Sequence, residues 1–331
     1  AIAEQEAADA ANDAPQVDPD AIAAAAGSAS GEITVSEAAP QMSAPRIIID
    51  APLVSGSISL AGLRIDDIML KAYQEKQDPE SDNIQFLLKT DGEAPFFAEF
   101  GWAAAEATQP MPKADSLWTA NSMVLSPESP VTLSWDNGNG LVCRRSLAIN
   151  DDYMITVDDS VESTLATPVT LFPYGLVRRH GTPPTTGIYI LHEGALGVFD
   201  ETLREEDYGD MKDADDGVTE IKPKEAGGWI GFTDKYWLAA LVPDQSAKMN
   251  FAFKSLAGST DRYQVDYIAS EPMVLAAGDV VSSQTRLFAG AKKVSLLDGY
   301  AEELGIANFD LAIDFGWFYF LTKPFFYAIN W

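Results

Sequence analysis

Between Val131 and Ile149 the chain reads Val-Thr-Leu-Ser-Trp-Asp-Asn-Gly-Asn-Gly-Leu-Val-Cys-Arg-Arg-Ser-Leu-Ala-Ile. Its two arms, Val131–Asp136 and Leu141–Ile149, are rich in β-branched and apolar residues, the composition that strands favour. The four residues between them are Asn-Gly-Asn-Gly, and both residue types tolerate the positive φ that a tight turn needs. This stretch therefore predicts an antiparallel β-hairpin.

Similar short runs continue on both sides of this hairpin, separated by turn residues. Within several of them alternate residues are apolar, as at Met249, Phe251 and Phe253, which is typical of a strand with one buried face. The pattern predicts a fold that is mainly β, with large antiparallel sheets packed as a sandwich. The other predicted strands are Arg46–Asp50, Val54–Leu60, Ile84–Lys89, Phe96–Trp102, Tyr153–Val161, Val169–Leu176, Gly187–Leu191, Trp229–Thr233, Tyr236–Val242, Lys248–Lys254, Arg262–Ile268 and Val280–Ala289.

Helical periodicity is nearly absent before Lys292. From there Val294, Leu297, Tyr300 and Leu304 recur at helical spacing, and the following Gly305 is placed to end a helix. We expect a C-terminal helix over residues 291–306 that packs on the sandwich.

The overall charge is strongly negative. The chain has 50 acidic and 22 basic residues, a formal net charge of −28. Such a surface repels phosphate backbones, so nucleic acid is not expected as a partner, and contact with a membrane would have to come from apolar surface. The single cysteine, Cys143, excludes an intrachain disulfide and a cysteine-based metal site.

Residues 1–45 differ from the rest of the chain. They are rich in Ala, Pro and acidic residues, and they contain no Lys or Arg. This composition predicts a mostly disordered acidic linker, with wrapping onto the following domain as the alternative.

The last residues, 307–331, are dominated by aromatic side chains. From Phe315 to Trp331 the only charged residue is Lys323, but the run is too short and too polar for an ideal spanning helix. On a helix its apolar residues would fall roughly on one side, as in a segment that lies in the membrane interface. The alternative is a helix that closes the core. The predicted membrane-contact residues are Phe315, Trp317, Phe318, Phe320, Leu321, Pro324, Phe325, Ile329 and Trp331.

Three motifs resemble those of YidC-type membrane protein insertases. Residues Asp314–Trp331 resemble the family's D-Y-G-W-L-W-F-x-x-x-P-L-F-x-x-L-x-W segment, which lies between the periplasmic domain and the membrane core. The run Leu287–Lys293 resembles an aromatic-x-G-P-K strand end, with Ala291 in place of Pro. Residues 227–240 resemble the family's paired GGW and QYF strands, so the likeness extends from about Arg46 to Trp331.

The resemblance implies a twisted β-supersandwich over residues 46–290, similar to galactose mutarotase. It also implies the periplasmic part of a bacterial inner-membrane protein, with further membrane helices expected after residue 331. The expected partners are nascent membrane proteins, the Sec translocon with its accessory subunits and, through the C-terminal segment, the membrane surface. No catalytic activity and no cofactor are expected.

The run Asp200–Asp216 is densely acidic, which at face value predicts a solvated loop. Calcium could use such carboxylates, but the spacing does not match an EF-hand. In the insertase family an edge near this region is associated with accessory Sec subunits, so the resemblance makes it a candidate partner site. Its candidate residues are Asp200, Glu201, Glu205, Glu206, Asp207 and Asp210.

An alternative function is a periplasmic carbohydrate-binding or aldose-epimerase-like protein of the same fold. Epimerases of that fold use His and carboxylate side chains as acid and base. This chain has only two histidines, His180 and His192, and a fold does not carry a function without its site.

Overall fold

Two large sheets make up most of the protein in its computed structural model, which describes residues 44–313 except 77, 79, 107–108, 185–191 and 257–259. The acidic segment 1–43, residues 314–331 and the predicted strand Gly187–Leu191 lie outside the described residues.

The first sheet has eleven strands in the part of the chain that is described. Numbered along the chain, they are β1 (Arg46–Asp50), β2 (Val54–Ser59), β3 (Ile65–Gln74), β4 (Asn83–Leu87), β5 (Phe96–Ala104), β7 (Val124–Leu125), β11 (Val169–His180), β14 (Val218–Ile221), β17 (Met249–Leu256), β18 (Arg262–Ala269) and β19 (Met273–Leu275). Nine of them follow the order β14-β17-β18-β11-β5-β3-β2-β1-β7, while β4 pairs with β3 and β19 with β11.

The second sheet has nine described strands. These are β6 (Thr119–Ala120), β8 (Val131–Asp136), β9 (Leu141–Ile149), β10 (Met154–Ser163), β12 (Gly194–Phe199), β13 (Thr202–Asp207), β15 (Trp229–Thr233), β16 (Trp237–Pro243) and β20 (Val280–Ala291). Their order is β13-β12-β15-β16-β20-β10-β9-β8-β6, and all of their pairings are antiparallel.

The predicted hairpin is formed by β8 and β9. Asn137 N donates to Leu141 O over 3.1 Å, and Gly138 and Gly140 both have positive φ. The two glycines of the Asn-Gly-Asn-Gly sequence therefore supply the positive φ that this turn needs.

Two helices accompany the sheets in the described residues: α1 (Tyr208–Asp213) and α2 (Val294–Leu304). Short 3₁₀ turns occupy Asp215–Gly217 and Phe309–Ala312. The predicted C-terminal helix is confirmed as α2, which ends at the left-handed Gly305. Its buried Tyr300 packs at 6.2 Å against the Phe288 ring of β20, so the helix lies on the second sheet.

Aromatic side chains fill much of the space between the sheets. Phe96 of β5 meets Phe232 of β15 edge to face, with ring centroids 6.4 Å apart. Phe199 of β12 meets Phe251 of β17 at 4.7 Å. Such pairs add about 0.5–1.5 kcal/mol each to the burial of the rings. The two sheets are therefore the layers of one sandwich, as the alternating pattern predicts.

Candidate partner-binding edge

The acidic run Asp200–Asp216 is built of regular structure, so its interpretation as a loop is wrong. Asp200 and Glu201 form the turn of the β12–β13 hairpin, both with positive φ, and Glu205, Glu206 and Asp207 lie in β13. The run continues into α1. Because β13 is mostly acidic, it lacks the alternating apolar residues that indicate a strand. Its pairing with β12 nevertheless makes it one.

Asp200 has a local structural role. Its carboxylate accepts hydrogen bonds from the backbone N–H groups of Lys224 and Glu225 at 3.0–3.1 Å. The bond from Glu225, followed by that from Lys224, holds the pKa of this exposed carboxyl below its ordinary value. Asp200 therefore ties the hairpin turn to the segment that precedes β15.

Two further acidic residues position their neighbours. Asp207 caps α1, since its Oδ1 accepts from Gly209 N at 2.7 Å and Asp210 N at 2.9 Å. Glu206 accepts a hydrogen bond from Thr219 of β14 at 3.1 Å, and burial raises the pKa of its carboxyl. The Glu206 contact joins the edge strands of the two sheets.

Glu201, Glu205 and Asp210 have exposed side chains. They lie on or beside β13, which ends the strand order of the second sheet and has no second partner strand among the described residues. A charged edge strand protects a sheet from nonspecific pairing, and it also offers carboxylates and free backbone groups to a specific partner. We call β13, its preceding turn and α1 the acidic edge.

The acidic edge contacts the first residues of the predicted C-terminal segment, 307–331. Asn308 Nδ2 donates to Glu201 O over 2.9 Å. Trp229 contacts the residues on either side of Asn308. Its Nε1 donates to Ala307 O over 3.1 Å, and its ring packs edge to face against Phe309 at 5.3 Å. Residues 307–309 are therefore anchored to the sheet beside the acidic edge.

The predicted membrane-contact residues from Phe315 to Trp331 lie outside the described residues. In the portion that is described, no helix combines the length and hydropathy needed to cross a membrane.

The two histidines do not form a site with each other in the contacts of the described residues. His192 Nε2 lies 2.9 Å from Ala195 O, whereas His180 ends β11 and its ring lies 6.4 Å from that of Phe97. Among the residues that the structure describes, no group of three or more His, Cys, Asp or Glu is suited to hold a metal. Burial raises the pKa of the Cys143 thiol to about 12.

Residues 46–328 match the model of the YidC periplasmic domain. The chain belongs to this family. The YidC resemblance of the three motifs is thereby confirmed over most of the chain.

Curated relatives give the same family. The chain is 44% identical over 303 residues to the membrane protein insertase YidC of Granulibacter bethesdensis, covering 91% of this chain and 52% of the relative. It is 47% identical over 294 residues to that of Methylobacterium sp. (strain 4-46), covering 87% and 47%. This YidC-family chain thus spans about half the length of the curated relatives it matches.

A solved structure shows the likeness in fold. A galactose mutarotase related enzyme from Lactobacillus acidophilus superposes with a TM-score of 0.51 at 8% identity, covering 74% of this chain and 97% of that enzyme. The predicted mutarotase-like supersandwich is confirmed.

Sequence reasoning did not identify Trp229 and Asn308 as the anchors of the C-terminal region. Trp229 stands in the Gly-Gly-Trp motif, but its partners at residues 307–309 lie about eighty positions later in the chain. Only the folded structure brings them together.

Proposed function

We propose that this chain is the non-catalytic periplasmic module of a bacterial inner-membrane insertase. Its parent would assist the insertion and folding of nascent membrane proteins, alone or with the Sec translocon. Membership of the YidC periplasmic domain family carries this proposal, together with relatives that are named membrane protein insertases. The module's work is contact with partners and positioning of the segment that follows residue 313.

We further propose that the acidic edge is the surface for accessory subunits of the Sec translocon. The exposed carboxylates on an edge strand support it, as does the contact between Glu201 and Asn308. A partner bound there would lie next to Asn308, close in sequence to the predicted membrane-contact residues.

Charge reversal tests this surface. In the full insertase that contains this chain, Glu205→Lys with Asp210→Lys is expected to lower capture of accessory Sec subunits about tenfold at low salt, because rim charges steer association. Both side chains are exposed, and no hydrogen bond of the described residues depends on either carboxylate. Glu302→Lys with Glu303→Lys, on the exposed face of α2, is the matched control and should leave capture unchanged. Equal capture by both double variants would remove the acidic edge from consideration.

We also propose that the residues from Phe315 to Trp331 contact the membrane surface. In co-sedimentation with zwitterionic vesicles, the chain 1–331 is expected to bind and a chain that ends at Asp314 is not, since the contact is apolar. The alternative, a helix that closes the core, predicts a different result. In that case neither chain sediments, and the shortened one unfolds at a lower temperature.

A further inference from the structure

A small pocket lies between β5 of the first sheet and β9 of the second. Its volume is about 20 Å³, which is enough for at least one water-sized group. Buried and exposed residues both line it, so its inner end is enclosed and its mouth meets solvent. The buried lining includes Glu99, Trp118, Arg145 and Tyr174, and the exposed lining includes Lys113 and Arg144. Only a small functional group fits at the inner end.

The segment that carries Trp118 is held against the turn between β2 and β3. Gly62 N donates to Ser116 O and Trp118 N donates to Leu60 O, both over 2.9 Å. Gly62 has positive φ, and a Cβ at this position would lie 2.5 Å from Ala114 O. Glycine therefore allows the close approach that places Trp118 in the wall of the pocket.

Trp118 brings an unused hydrogen-bond donor to the pocket. Its side chain is 5% exposed, and its Nε1 has no acceptor among the described residues. A buried indole N–H usually has a partner, because a buried donor without one has lost its bond to water and gained nothing in return. An acceptor that enters the pocket supplies the missing partner.

The buried charges of the pocket are already paired. Arg145 donates to Asp159 through two hydrogen bonds of 2.6 and 2.8 Å, and Glu99 Oε2 accepts from Arg64 Nε over 2.6 Å. An ion that entered the pocket would lose its hydration without finding an unpaired opposite charge at the inner end. Lys113 is exposed and keeps its own hydration. The pocket therefore favours a neutral group.

Glu99 retains capacity to accept a hydrogen bond. Tyr174 OH donates to Glu99 Oε1 over 3.4 Å, which is longer than a typical hydrogen bond. Burial raises the pKa of Tyr174 well above its ordinary value, so the phenol stays protonated. A carboxylate oxygen has two lone pairs, and Oε1 can therefore accept a second, shorter bond. The pocket combines an unused donor on Trp118 with acceptor capacity on Glu99.

We propose that this pocket binds a primary amide. The amide oxygen accepts from Trp118 Nε1, and the amide NH₂ donates to Glu99 Oε1. A primary amide is neutral, and it places an acceptor and two donors within a few atoms. The amide belongs either to a free small molecule or to the end of an Asn or Gln side chain on a partner. The site is separate from the acidic edge and does not depend on the partner proposed there.

Three probes of the same shape test this site on the chain 1–331. Acetamide, acetate and acetamidinium are isosteric, but only acetamide is neutral and both accepts and donates hydrogen bonds. Acetamide is expected to shift the indole N–H resonance of Trp118 in NMR spectra saturably. The two ions should bind at least about tenfold more weakly, because each would bring an uncompensated charge into the pocket. The indole signals of the other tryptophans, of the seven in the chain, should not respond.

Two tryptophan variants locate the site. Trp118→Phe should weaken acetamide binding at least about tenfold, followed at the backbone amide signal of Gly101, which also lines the pocket. Trp135→Phe changes a partly buried tryptophan of β8 outside the lining and should leave binding unchanged. If Trp118→Phe does not fold, sequential assignment of the parent protein identifies the Trp118 signal, and the ranking of the three probes decides.

A fourth probe distinguishes the sources of the amide. If N-acetylglutamine N-methylamide binds more tightly than acetamide, the amide belongs to a side chain on a peptide; equal or weaker binding indicates a free small amide. A Trp118 signal that does not shift saturably with acetamide overturns the proposal and assigns the pocket to ordered water. Acetate that binds as tightly as acetamide overturns it in favour of an anion site. Equal, linear shifts of all indole signals overturn it as a solvent effect.

Discussion

Replacing Arg145 with methionine is expected to lower the free energy of unfolding by about 3–5 kcal/mol. Arg145 is 3% exposed and lies between the two sheets. It binds Asp159 through Nε–Oδ1 at 2.6 Å and Nη2–Oδ2 at 2.8 Å, and Nη2 also donates to Phe100 O over 2.8 Å. The variant leaves the Asp159 carboxylate in the core without its cation, and this desolvated charge accounts for most of the cost.

The neighbouring arginine provides the control. Arg144 points to the other side of β9 and pairs with Glu162, with the two side chains 46% and 40% exposed. Arg144→Met should therefore change stability by less than about 1 kcal/mol, the usual value for an exposed pair. Urea unfolding of the two single variants gives the comparison. The double variant Arg145→Met with Asp159→Leu should recover most of the loss, because it removes both charges. Equal costs for the two arginines would show that the buried pair contributes no more than a surface one.

For Arg145, the sequence pattern predicts the direction of the side chain but not its partner. Leu141, Cys143, Leu147 and Ile149 alternate along β9, and Arg145 occupies the inward place in that series. The alternation alone therefore points Arg145 into the core and Arg144 outward. Its counter-ion Asp159 lies on the next strand, at a register that strand pairing fixes and composition does not.

Strand β3 was missed because of its acidic residues. Asp66 and Asp67 interrupt the apolar pattern at the start of Ile65–Gln74, yet Asp66 is fully buried. Arg46 forms an ion pair with it, and Thr90 donates to it through both N and Oγ1 at 3.1 Å. These partners lie at least twenty positions away in the chain, so a local pattern cannot show that the charge is satisfied.

The candidate partner-binding edge was likewise only partly predictable from the sequence. The acidic composition of residues 200–216 was visible in the sequence, but its place on an edge strand depends on pairing between β12 and β15 and between β12 and β13. Nonlocal pairing assembles this surface, which is why the β pattern predicted the fold better than the candidate site.

Replacing Trp229 with alanine is expected to lower the free energy of unfolding by about 3–5 kcal/mol, the usual range for a buried tryptophan. The Trp229 side chain is fully buried, and it holds Ala307 through Nε1 and Phe309 through ring contact. The variant removes both contacts. Amide hydrogen exchange over residues 306–313 should therefore accelerate more than exchange in the strands of the opposite sheet.

Trp237→Ala is the control for this variant. Trp237 lies at the start of β16, is only partly buried and packs on Tyr73 at 4.9 Å, away from residues 306–313. It should cost less stability and leave exchange in that segment close to that of the parent protein. If exchange over 306–313 is unchanged in Trp229→Ala, the bond from Asn308 to Glu201 O is sufficient to hold the segment. If it accelerates, the contacts of Trp229 with Ala307 and Phe309 are what hold residues 306–313 on the second sheet, and the bond from Asn308 to Glu201 O alone is not sufficient.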